Sequence, residues 1–152
     1  MLNNIAIIIH LIVINIWVGG MFFIIIVLGK VVATLDVSEQ HVFWLKVYKR
    51  FFFWLWIAVI GLLASGSGMI FYRFGSMANT PWYIIAMAGL GISMMVIFMA
   101  IYFVFYKKFT REFNAGNIEA SGHQLRIIRR LGIVNMLLGF CVVVVIGAVP
   151  FS

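Results

Sequence analysis

The sequence predicts an all-α membrane protein, an up-down bundle of four transmembrane helices, and three observations point there. Of its 152 residues, 65% are apolar and only 10% charged, where a soluble domain carries roughly a quarter charged residues. Four stretches, residues 5–29, 51–71, 82–105 and 131–151, hold no Asp, Glu, Lys or Arg. Each meets the roughly 20 apolar residues that a hydrocarbon core demands. Finally, all but one of the eleven Lys and Arg residues fall in the first and third connections, as expected when alternate loops share one side of a membrane. The chain reads as a single domain, 1–152, with helices at about 5–29, 42–72, 82–106 and 121–150 and almost no mass outside the bilayer.

Helix one has no basic residue before it, and its apolar run is longer than a signal-peptide core, so it is expected to remain as a span. It carries His10, Trp17, Gly19 and Gly20. Helix two follows Asp36, Ser38 and Glu39, residue types that favour a helix start. Its rings at Phe51, Phe52, Phe53, Trp54 and Trp56 are expected to anchor at the interface. Near its end, Ser65, Gly66, Ser67 and Gly68 permit close helix approach, which lipid-embedded packing favours. Asn79, Thr80 and Pro81 read as a turn that opens helix three. Helix four begins in the polar segment before Arg130 and carries Asn135, expected to make an interhelical hydrogen bond, and Cys141, expected to be a small packing residue.

The net charge of +7 needs no nucleic acid. Its partner is the lipid bilayer, with Arg126, Arg129 and Arg130 set against anionic headgroups. Positive residues mark the cytoplasmic side, so both termini and the Arg73 loop are expected outside, in the periplasm of a bacterial inner membrane. Walker, CxxC, HExxH and GxSxG motifs are absent.

His10 is the one strongly titratable side chain at membrane depth, which by default marks a functional site. No carboxylate lies in the spans, which argues against a proton- or Na⁺-coupled carrier. Matching depths across an up-down bundle brings Met87 and then Met69 toward His10, with Arg73, Trp82 and Tyr83 just above. Three chemistries remain open. His10 pins two helices through a carbonyl or hydroxyl; it ligates a haem iron, for which His and Met form a known pair; or it binds copper with thioethers, which suit Cu(I). His41 and His123 lie at the opposite side and are expected to be solvated.

The segments IHLIVINIWVGGMFF and QLRIIRRLGIVNMLLGFCVVVVIGAV, with PWYIIAM opening helix three, resemble the copper-resistance protein D (CopD-like) superfamily over nearly the whole chain. That superfamily includes HemJ-type haem-binding proteins, and the resemblance implies that His10 occupies their first-helix ligand position. The lysine that HemJ-type oxidases carry after the helix-three tryptophan has no counterpart beside Trp82, so protoporphyrinogen oxidation is not implied. The resulting expectation is a b-type haem on His10 near the outer face, serving electron transfer or haem-dependent oxidation with an unnamed redox partner. Met87 is its second ligand or near neighbour, Met69 the next candidate, Arg73 the propionate partner, and Trp17, Trp82 and Tyr83 its surroundings. The alternative is copper transport or tolerance with His10 and Met87 as metal ligands; the third possibility is a structural subunit without cofactor. Small-residue faces suggest a homodimer.

Overall fold

The computed structural model describes residues 2–148. Helix α1, residues 2–32, runs as Leu2–Phe22, a π-helical segment Phe23–Leu28 and a last turn Gly29–Val32. Helix α2 is Val37–Phe74, α3 is Trp82–Asn114 with a π-helical segment Ile101–Tyr106, and α4 is Ile118–Gly147. All four are long and apolar enough to cross a membrane. No strand occurs among the described residues. The protein is an all-α, four-helix membrane protein.

Short turns impose the up-down order. Gly75 closes α2 at φ 72°, a conformation that a Cβ disfavours, and Gly116 does the same after α3 at φ 77°. Asn117 caps α4, its side chain accepting from the Ala120 N–H at 3.1 Å. The turn between α2 and α3 lies at one end of the bundle, and the connections on either side of it lie at the other, basic end.

Two kinds of packing hold the helices. Glycines let α1 approach its neighbours closely. A Cβ on Gly61 would lie 3.2 Å from Val13, and one on Gly132 would lie 3.2 Å from Ile25. Helices α2 and α3 are instead joined by rings. Trp44, Tyr48 and Phe52 stack one turn apart along α2, at 5.1 and 5.4 Å. Phe52 then meets Tyr106 edge-on at 4.9 Å, and Trp56 meets Phe98 at 5.4 Å. The quadrupoles of the rings favour these edge-to-face and offset arrangements. Asn135 is fully buried and donates from Nδ2 to the Met94 carbonyl at 3.0 Å, the expected tie between helices.

Three expectations need correction. The ring cluster of α2 is split by helical periodicity: Phe53 and Trp54 face outward, but Phe52 is 3% exposed and Trp56 joins the α2–α3 seam. Cys141 is exposed on α4, so it fills no gap between the four helices. His41 is buried, enclosed by the rings of Phe109 and Phe113 at 6.0 Å each. Helix α2 starts at Val37 and packs its polar first turns against the ends of α3 and α4, which takes His41 out of solvent.

Gly139 shows how tight the α1–α4 contact is. A Cβ there would sit 2.5 Å from Val18 Cγ2. Valine is stiff at χ1 and cannot swing away, so Gly139→Ala must separate the helices. The expected cost is about 1–3 kcal/mol, read as a lower unfolding temperature in detergent. Gly68→Ala, where a Cβ would meet nothing within 4 Å, serves as the neutral comparison.

Candidate functional site

His10 sits on the α2-facing side of α1, half-buried. Its Nδ1 lies 2.9 Å from Ser65 Oγ, and a Cβ on Gly66 would lie 3.5 Å from its Cε1. The glycine lets the ring lie against the α2 backbone. Ser65 is itself committed: its Oγ lies 2.6 Å from the Gly61 carbonyl, which can only accept. The single hydroxyl proton goes to that carbonyl, so Oγ accepts from His10 Nδ1–H. The tautomer follows. In the neutral ring Nε2 then carries the free lone pair, and it makes no hydrogen bond among the described residues. A metal-binding imidazole is typically oriented in this way, through a hydrogen bond at its other nitrogen.

The packing also sets depths. Trp17 meets Phe98 edge-on at 5.7 Å, and α1 and α3 run in the same direction, so His10 is level with Gly91. Val18 opposite Gly139 and Ile25 opposite Gly132 set the α1–α4 register, which brings Gly147 to the same level. Each other helix thus presents a glycine at the height of His10. At Gly91 and Gly147 a Cβ would meet nothing within 4 Å.

The other candidate residues are distributed as follows. Met69 is one turn beyond Ser65 on the same face of α2, about 6 Å further out. Met87 lies about one turn outward of Gly91 on α3, half-buried against the core. Arg73 is exposed, with its guanidinium 6.0 Å from the Phe74 ring. Trp82 is exposed and meets the half-buried Tyr83 edge-on at 6.1 Å. Trp17 is 1% exposed and lies two turns deeper than His10, inside the packed seam with Phe98. The hydrogen bonding therefore brings Ser65 to His10, although in the sequence Ser65 reads only as a small packing residue. The signal was present in its depth match to His10; rotation of α2 was the missing quantity. Among the described residues, no three His, Cys, Asp or Glu side chains come together as a metal site.

A family model described as copper resistance protein D matches residues 45–149. The chain belongs to the CopD family. The match covers most of α2 and all of α3, and extends through α4. Ser65 and Gly66 of this CopD-family chain thus lie within it, while His10 precedes it. No curated protein and no solved structure gives a significant match.

Proposed function

We propose that this CopD-family membrane protein handles copper at the outer end of the bundle, with His10 Nε2 as the nitrogen ligand. The observation that carries this reading is the Ser65-fixed tautomer, which leaves one lone pair free at membrane depth. The thioether of Met69, on the same face of α2 as Ser65, is the nearest soft donor by register, and Met87 follows from α3. A His–thioether set suits Cu(I), whose ligands are soft and whose coordination number is low. Copper is the cargo in this reading. The basic end is taken as cytoplasmic and the His10 end as periplasmic, in a bacterial inner membrane. The family description, and the absence of carboxylates from the apolar spans, both favour soft-metal handling over proton-coupled transport.

The same Nε2 would serve as an axial ligand for haem b, as the resemblance to HemJ-type proteins implies, with Met87 across the site and Arg73 toward a propionate. One preparation separates the two. Protein purified in mild detergent from cells supplied with both copper and haem is assayed for copper per chain and for oxidised and reduced absorption spectra. Stoichiometric copper without a Soret band supports the copper reading. A Soret band that shifts on reduction replaces it with haem.

Ser65 supplies a finer test. Ser65→Ala removes the acceptor that holds the tautomer but leaves Nε2 in place. Loss of such an orienting partner typically weakens metal affinity by about 10–100-fold. Competition with a chromogenic Cu(I) chelator should show a drop of that size, and an unchanged affinity would mean that the His10–Ser65 bond is only a helix tie.

A further inference from the structure

The basic end holds a second built site, separate from His10 and independent of the copper reading. A cavity of about 390 Å³ opens between α2 and α4, bordered by Gln40, His41, Trp44, Tyr48, Arg126 and Arg129. His41 is 4% exposed. Its Nδ1 lies 2.6 Å from the Val37 carbonyl, and a carbonyl only accepts, so Nδ1 carries the proton. In the neutral ring Nε2 is then an acceptor, fully buried and without any partner among the described residues. Buried polar atoms in native proteins are nearly always paired, so an orphan calls for an explanation, and a missing ligand is one. Nε2 and the Arg126 guanidinium border the same point, 3.5 and 3.8 Å from where a Cβ on Gly122 would lie. Glycine keeps that point empty.

The charge pattern selects the ligand. Two arginines, Arg126 and Arg129, and one acidic residue, Glu119, line the cavity, so a cation is disfavoured and an anion favoured. A neutral Nε2 accepts, so an anion that also carries a hydroxyl satisfies it. Trp44 and Tyr48 supply flat apolar walls where α2 approaches the membrane. We propose that this cavity binds a hydroxyl-bearing phosphate ester. Its phosphoryl oxygens accept from Arg126 and Arg129, and its hydroxyl donates to His41 Nε2. Phosphatidylglycerol has this chemistry in a lipid, and glycerol 3-phosphate has it in solution. Basic pockets between helix ends at a membrane surface are established binding places for anionic headgroups.

The test uses the full chain in nanodiscs of phosphatidylcholine with or without phosphatidylglycerol, with bound lipid counted by native mass spectrometry after release. A parallel arm adds glycerol 3-phosphate to phosphatidylcholine discs and follows thermal unfolding. Wild type should retain phosphatidylglycerol over phosphatidylcholine. His41→Phe, which keeps the ring stack but removes Nε2, and Arg126→Gln should each lower retention about tenfold, the scale of one lost charged or orphaning hydrogen bond. Gly122→Leu fills the empty point without removing any donor and should do the same, which keeps the test sound if His41→Phe does not fold. Stabilisation of wild type by glycerol 3-phosphate, abolished in all three variants, supports the site and assigns a soluble source. Wild-type lipid retention in Arg126→Gln and Gly122→Leu, with no response to glycerol 3-phosphate, overturns the proposal.

Discussion

In a His10→Ala protein, copper retained through purification falls to the background of an empty preparation, while the bundle still assembles. The size of the first effect follows from the donor set. His10 is the only nitrogen ligand that the sequence places within the apolar spans, and thioethers alone would hold Cu(I) more weakly than a set with an oriented imidazole. The smallness of the second effect follows from the environment. Interhelical hydrogen bonds in membrane bundles contribute about 0.6 kcal/mol on average, and His10 makes one, to Ser65. His10→Gln sharpens the comparison, because an amide can still bond Ser65 but offers no imidazole nitrogen. Copper lost in both variants with unchanged unfolding temperature places the ligand at Nε2. Full copper retention in His10→Ala would refute the site.

Phe98→Ala is expected to be the most destabilising single substitution in the core. Phe98 is 0% exposed and touches Trp17 of α1, Phe52 and Trp56 of α2, and Tyr102 of its own helix. Among the described residues it is the one α3 ring that pairs with rings of both α1 and α2. Truncation leaves a void at that junction, and Phe→Ala changes in cores cost about 3–5 kcal/mol. That scale comes from water-soluble proteins and includes a transfer contribution that lipid largely removes. The lost dispersion contacts remain, because a void has no atoms to replace them, and packing of this kind drives helix association in membranes. Thermal unfolding in detergent, beside Val96→Ala at 63% exposure on the same helix, gives the contrast. A fall confined to Phe98→Ala supports the aromatic seam as the organising contact. Equal behaviour of the two variants would place the stability in the glycine contacts instead.

Much of this architecture is legible without coordinates. Apolar length and the placement of Lys and Arg suffice for four crossing helices, because the bilayer enforces internal satisfaction of the backbone and leaves helices or closed barrels as the options. His10 stands out for a related reason: a lone ionisable group in hydrocarbon is expensive and needs a use. Asn135 was readable as an interhelical donor on the same logic, and it does bond α3.

Rotation about each helix axis was not readable, since nearly every position in these spans is apolar and no polar stripe marks the inner face. For that reason depth alone points to Met69 and leaves Ser65 as a small packing residue, Cys141 reads as a packing residue, and the α2 rings all read as anchors. His41 was missed for a different reason. A histidine in a polar connection reads as solvated, and only the packing of the first turns of α2 against Phe109 and Phe113 removes it from water.

By itself, the sequence determined the solvent of this protein, the number of its spans and the single imidazole at depth, because composition and charge decide what a bilayer will accept. The tertiary structure decided the tautomer of that imidazole, the partner that holds it and the buried histidine at the basic end. Those properties depend on which side chains face each other across helices, and a bond to a carbonyl or a committed hydroxyl assigns a proton only once that facing is set.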